Sequence, residues 1–368
     1  MHNAHHHRTH GVRALACGVF ASLALPMAVR LPLAEVLTIQ IGEELIALED
    51  PAPAEPTPSD TVPPPASPSS LPEPTPAEPP TAPTPTIAVR APTRSWGLDR
   101  IDQRSLPLDR GFSISGDGAG VRAYIVDTGI NLESSDFTGR IDVGFSAIDS
   151  TTQDCHGHGT HVSGIVGGTD FGVAPAVTLV PVRVSACGGT ATLANAIAGI
   201  DWAIADHVSG PAVMNISLGG SSSDLLDDAV ARAVADGITV VVAAGNSNTD
   251  ACTRSPARAL EAITVAASTI TDARYSASNT GTCVDLFAPG VTITSDWIGN
   301  PTATRVLSGT SMAAPHVAGA AAAYLSAHPD AAPAQVLAAL LAGATTGVVI
   351  DAGPDSPNAL MYVGPPTP

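Results

Sequence analysis

The reading of the chain turns on Gly309-Thr310-Ser311-Met312-Ala313-Ala314-Pro315-His316-Val317-Ala318-Gly319. A Gly-Thr-Ser turn runs into an apolar run of small residues, Ala313 to Leu325, which predicts a buried helix. Ser311 then stands at or beside the helix N-terminus, where unpaired backbone N–H groups and the positive dipole end collect. An oxyanion forming next to a serine so placed is stabilised at once. Pro315 lacks the N–H that would bond the carbonyl of Ser311, which keeps the first turn irregular and frees the serine side chain to face outward. Taken alone, the stretch also suits an N-cap serine on a core helix. Two stretches upstream decide against that.

Working outward, Val121 to Val126 predicts a strand ending on Asp127-Thr128-Gly129, and His158 to Val166 a short helix after a Gly-rich turn. Strands follow at Val177 to Val184, Val213 to Ser217 and Thr239 to Ala244, the last ending on Gly245-Asn246. Helices are predicted over Leu193 to His207, Leu225 to Ala235 and Pro333 to Leu341. Such alternation implies an α/β fold, a three-layer arrangement of a parallel sheet with helices on both faces. Ligands in these folds sit at the carboxyl ends of strands, where Asp127 and Asn246 are placed.

The 368 residues suffice for one large domain with appendages, and 44% hydrophobic against 14% charged content indicates a sizeable core. With aromatics at 4%, that core is built of Ala, Val, Leu and Ile. A net charge of −18 argues against nucleic acid as a partner. The basic residues are all Arg, which reads as compositional bias rather than function. Residues 1–34 carry a basic start and an apolar run, Ala14 to Ala28, too short to span a membrane, and read as a signal peptide. No stable membrane association is expected. Residues 35–91, rich in Pro from Pro51 to Pro85, are expected to be a short pro-segment or linker without structure. The globular domain is expected over 92–368. Cys17 falls in the apolar leader; Cys155, Cys187, Cys252 and Cys283 fall in the body and permit three pairings. No C-x-x-C spacing occurs, which argues against zinc and for an oxidising, exported setting.

The second deciding stretch is Asp154-Cys155-His156-Gly157-His158-Gly159-Thr160-His161-Val162-Ser163-Gly164. Its three histidines suit a metal hydrolase, but no H-E-x-x-H accompanies them. A general base at a glycine-flanked helix start explains the stretch equally well.

Together, Tyr124-Ile125-Val126-Asp127-Thr128-Gly129-Ile130, His158-Gly159-Thr160-His161-Val162, Ala243-Ala244-Gly245-Asn246 and Gly309 to His316 resemble the motifs of the subtilisin-like serine proteases, the proteinase K branch above all. Their order, Asp, His, Ser, is the family's order. The resemblance covers about residues 94–363. It implies Ser311 as nucleophile, His158 as general base and then acid, Asp127 as the group holding the imidazole, and Asn246 as oxyanion donor. His161 and His316 are expected to pack; His156 is given no role. Polypeptide substrates are expected to lie extended between Ser217-Leu218-Gly219-Gly220 and Gly188-Gly189, where glycines let backbone approach backbone. Ala191 replaces a glycine common in relatives, which narrows the outer subsites.

The first specificity pocket would have Ala243-Ala244-Gly245 as its floor. No charged residue occurs among the motifs lining it, favouring an apolar or aromatic residue before the scissile bond. Likeness to the aqualysin-type members implies Cys155–Cys187 and Cys252–Cys283 bridges. No catalytic cofactor is implied; a structural calcium would use the Asp285 carboxylate and the carbonyls of Leu260 and Ala262. The chain reads as a secreted, monomeric serine endopeptidase. A subtilisin-like domain kept only for binding is the alternative, and the intact Asp127, His158, Asn246 and Ser311 speak against it. Relatives carry a folded inhibitory propeptide, which the short Pro-rich segment here could not supply.

Overall fold

A computed structural model describes residues 38–40, 87–90 and 92–364, the first two stretches as strands only. The signal peptide expected over 1–34 and the Pro-rich run of 51–85 lie outside the described residues.

Six strands form the centre of one sheet: β1 (Arg122–Asp127), β2 (Thr178–Arg183), β3 (Ala212–Ile216), β4 (Thr239–Ala243), β5 (Ile263–Ser268) and β6 (Leu286–Pro289). They lie in the order β6-β5-β4-β3-β1-β2, and every neighbouring pair is parallel. Phe145–Ser146 extends the β2 edge, and Ala359–Leu360 with Thr345–Thr346 extends the β6 edge. The chain adds β2 on one side of β1 and then β3 to β6 on the other, so strand order reverses at β1. A crevice opens at such a reversal, beyond the strands' carboxyl ends.

Six helices flank the sheet among the described residues: α1 (Trp96–Ile101), α2 (His158–Gly167), α3 (Leu193–Asp206), α4 (Asp224–Ala235), α5 (Thr310–Ala327) and α6 (Pro333–Gly343). Alternation along β1 assigns the layers. Ala123 and Ile125 join a core with Val162 and Ile165 of α2 and Val317 and Ala321 of α5. Tyr124 and Val126 join a second core with Ile200 of α3 and Leu226 and Val230 of α4. Successive side chains point to opposite faces, and both faces are covered, giving three layers.

The helix expected from the Ser311 stretch runs over Thr310–Ala327 and is buried nearly throughout. Its Ala and Gly residues let α2 pack closely; a Cβ on Gly319 would lie 2.9 Å from the Val166 carbonyl oxygen. Strands β5 and β6 and helix α1 are additions to the sequence reading. Two short strands also fall in the span expected to lack structure. Ile87–Arg90 pairs antiparallel with Phe112–Ser115, and Thr38–Gln40 pairs antiparallel with Thr190–Thr192.

Candidate active site

Asp127 ends β1 and is fully buried. Its Oδ1 accepts the backbone N–H of Thr128 at 2.8 Å, and both oxygens lie within hydrogen-bond reach of His158 Nδ1, at 2.8 and 2.9 Å. A buried carboxylate so placed accepts the Nδ1 proton and leaves Nε2 as the free lone pair. His158 Nε2 is buried and has no hydrogen-bond partner.

The histidine is held from beneath by Asp154. One oxygen of that carboxylate accepts the N–H groups of His156 and Gly157, each at 2.9 Å. The other accepts the Thr160 N–H at 3.0 Å and its hydroxyl at 2.6 Å. These are donors that the start of α2 would otherwise leave orphaned. Gly157, at φ 108°, must be glycine twice over: its backbone is left-handed, and a Cβ would fall 2.4 Å from the Trp297 ring.

Ser311 is the second residue of α5 and 4% exposed. Its carbonyl, freed by the missing N–H of Pro315, accepts the Ser217 hydroxyl at 3.0 Å. Its own hydroxyl donates to the Ser217 carbonyl at 3.1 Å. The serine is thus turned toward the end of β3 and not bonded to the imidazole. Its N–H, in the first turn, has no intrahelical acceptor.

Asn246 follows β4. Its Oδ1 accepts the Thr310 N–H at 2.8 Å and the Thr310 hydroxyl at 3.0 Å. Those two donors fix which end of the amide is oxygen, so the Nδ2 donor is left to the cavity.

That cavity holds about 460 Å³. It is lined by the expected Ser217, Leu218, Gly219, Gly220, Ala243, Ala244 and Gly245, and also by Asn246 and Ser311. Gly188 and Gly189 do not line it. They lie in the turn preceding Thr190–Thr192, the strand that accepts Thr38–Gln40 with Ile39 opposite Ala191. This edge therefore takes an added antiparallel strand.

Arg254 lines the cavity as well. It lies outside the motifs, so the sequence reading missed it; it reaches the site because Arg254–Ser255 pairs antiparallel with Gly220–Ser221. Asn279 was missed too. Its Oδ1 accepts the N–H groups of Ser247 and Thr249, and its Nδ2 donates to the Ala244 carbonyl, bracing the loop after β4.

The three histidines do not converge. His158 faces Asp127, whereas His161 Nε2 reaches the carbonyls of Ile293 and Arg305 at 3.0 and 3.1 Å. Burial pushes His161 down to about 3 and His316 to about 4, so both are neutral packing groups, as expected. His156 stands over the Gly188-Gly189 turn; a Cβ on Gly189 would lie 2.7 Å from its Nε2.

Both bridges form, Cys155–Cys187 and Cys252–Cys283, with Cα separations of 5.0 and 5.3 Å. Asp285 sits just before β6, its Oδ2 accepting the Thr264 N–H at 2.7 Å. That holds it against the strand entered from Leu260 and Ala262. Burial raises this carboxyl above its usual range, opposed by the Thr264 N–H. A carboxylate and backbone carbonyls are the oxygen donor types that calcium takes.

The family model described as the subtilase family matches residues 118–359. The chain is 58% identical over 277 residues to an extracellular serine proteinase of Thermus sp. (strain Rt41A), covering 75% of this chain and 67% of that one. It is 51% identical over 269 residues to alkaline serine exoprotease A of Vibrio alginolyticus, covering 73% and 50% respectively. The chain thus spans between half and two thirds of the length of these curated relatives. The solved structure of a cold-adapted subtilisin-like serine proteinase superposes with a TM-score of 0.71 at 47% identity, covering 74% of this chain and 98% of that one.

Proposed function

The chain belongs to the subtilase family, and from that premise we propose that it is a secreted serine endopeptidase acting through Asp127, His158 and Ser311. The observation that carries this reading is the Asp127–His158 pair, which consumes Nδ1 and leaves Nε2 buried and unpaired. The helices bearing His158 and Ser311 pack on one another.

With a peptide bound, the Ser311 hydroxyl turns from the Ser217 carbonyl and gives its proton to His158 Nε2 as Oγ bonds to the substrate carbonyl carbon. Asp127 holds the Nδ1 proton and stabilises the imidazolium. The Asn246 Nδ2 and the Ser311 N–H hold the oxyanion. Collapse breaks the C–N bond, and the departing amine takes the proton from His158. Water then repeats the sequence on the acyl-enzyme. Backbone pairing along Ser217 to Gly220 and along the edge after Gly188-Gly189 holds the substrate extended. The Ala243-Ala244-Gly245 floor favours apolar or aromatic side chains before the scissile bond.

No catalytic cofactor belongs to this chemistry. A structural calcium held by Asp285 with the carbonyls of Leu260 and Ala262 would brace the loop leading into β5. Chelation should then lower the melting temperature of the parent but not of Asp285→Asn. Equal losses in both proteins would remove the calcium from this position. Residues 1–34 act as the export signal and 92–368 as the catalytic domain in this reading. No helix among the described residues is long and apolar enough to cross a membrane.

A fluorophosphonate should label Ser311 alone, and Ser311→Ala should abolish both labelling and peptide hydrolysis. Labelling elsewhere, or undiminished hydrolysis by the alanine variant, would sink the mechanism. A folded protein that binds peptides without labelling would favour the binding-only domain.

A further inference from the structure

We propose that Arg254 makes the primary specificity pocket a receptor for an acidic side chain, so that the enzyme also cleaves after glutamate. The inference rests on the serine-peptidase reading above and extends it to a second substrate class.

Three observations carry it. Among the described residues lining the 460 Å³ cavity, Arg254 alone is ionisable; the others are small, apolar or uncharged polar residues such as Ala243, Gly245 and Ser221. Among the described residues no carboxylate pairs with Arg254, and its Nε is buried without a hydrogen-bond partner. Its neighbour Arg258 shows the contrast, since that guanidinium is bonded to both Asp224 and Asp227. Finally, Arg254 is held in place by strand pairing, opposite Ser221 on the same segment that supplies Gly219 and Gly220 to the substrate.

Arg254 is half-buried, and Nε is its one side-chain nitrogen that is both buried and unpaired. A carboxylate entering the cavity would give that nitrogen the partner it lacks. Arginine presents its donors as a planar fork matched to a carboxylate, so the gain is largest for an ionised ligand. A carboxamide of the same length offers a single acceptor and no charge. The aliphatic stem of Arg254 still leaves apolar wall for an uncharged side chain, so acceptance of glutamate is added to the apolar preference.

The test is a set of peptide substrates differing only before the scissile bond, with Glu, Gln or Leu there. We expect kcat/KM for Glu to exceed that for Gln by about tenfold, the worth of one charge-assisted contact. The Glu:Gln ratio should fall to about one in Arg254→Gln and survive in part in Arg254→Lys, which keeps the charge without the fork. Fluorophosphonate labelling of Ser311 in every variant reports separately on the catalytic machinery. Normal labelling with a parental Glu:Gln ratio of one or less would overturn this inference and leave the peptidase reading intact. A high parental ratio unchanged in Arg254→Gln would also overturn it. Absence of labelling in the parent would overturn the peptidase reading itself.

Discussion

Asn246 is oriented by its neighbours. Two donors from Thr310 converge on Oδ1, so rotation of the amide would cost two hydrogen bonds and set donor against donor. Asn246→Ala should therefore lower kcat by about 10²–10³, a figure taken over from the equivalent donor of subtilisin itself. KM should change little, because the contact is made to charge that develops only in the transition state. Steady-state kinetics on a peptide anilide separate the two; a variant altered in KM alone would contradict the role. Asn246 was legible because a Gly-Asn pair ends an apolar strand run. The role of Thr310 was not legible, since nothing in a Gly-Thr-Ser turn says that its hydroxyl meets the residue after another strand's end. Arg254 was illegible for the same physical reason on a larger scale. Its place in the cavity depends on a two-residue ladder with Gly220–Ser221, and no local periodicity announces a pairing that short.

Among elements, those whose pattern is local were readable and those defined by tertiary partners were not. Helix α4 alternates apolar and charged residues at helical spacing and begins at Ser223, whose side chain caps the Leu226 N–H. Strand β4 was readable because Val240 to Val242 form an unbroken β-branched run between Gly237 and Gly245, whereas β5 and β6, equally buried, mix Ala, Ser and Pro into short runs without such a pattern. Cys155–Cys187 closes a separation of 32 residues, worth about 3–4 kcal/mol in the chain-entropy model. It joins the approach to His158 to the Gly188-Gly189 turn, so the double variant Cys155→Ala/Cys187→Ala should lose kcat/KM as well as stability. Cys252–Cys283, at a separation of 31, ties the loop after Asn246 to the approach to β6. Its removal should cost a similar stability with a smaller fall in kcat/KM. Thermal melts on a Ser311→Ala background, which prevents self-digestion, together with kinetics on the active forms, check both. Equal kinetic losses from the two bridges would disprove the division of labour.

At the scale of the whole molecule, a chain of net charge −18 carries, among its described residues, a buried acidic contact that contributes to how its stability depends on pH. Asp136 and Asp296 meet beneath the C-terminal end of α2. A Cβ on Gly168 would lie 2.3 Å from Asp136 Oδ2 and 3.3 Å from Asp296 Oδ2, and neither oxygen has a hydrogen-bond partner. Burial, then the charge of Asp136, pushes the Asp296 carboxyl up to about 8, and burial raises Asp136 in turn. Ser134 and the Asp170 N–H supply the nearby donors, and Arg140 bonds the Asp136 carbonyl rather than its carboxylate. Two carboxylates so close share a proton. In the unfolded chain Asp296 returns to an ordinary value near 3.8, so between there and about 8 the native state binds the proton that the unfolded state has released. Stability therefore falls as pH rises through that window, opposite in sign to a salt-bridged carboxylate. Asp296→Asn keeps the shape and can donate to Asp136 without titrating. Melts of the Ser311→Ala protein from pH 5 to 9 should fall with pH, and adding Asp296→Asn should flatten that fall. The added change should raise the melting temperature at pH 9 by ~3 °C or more, given roughly 2–4 °C per kcal/mol for a domain of this size. At pH 5, only a little above the unfolded-state value, the gain should be smaller than at pH 9. Parallel curves displaced by a constant amount would show that Asp296 contributes packing alone, and a larger gain at pH 5 than at pH 9 would reverse the assignment of the shared proton.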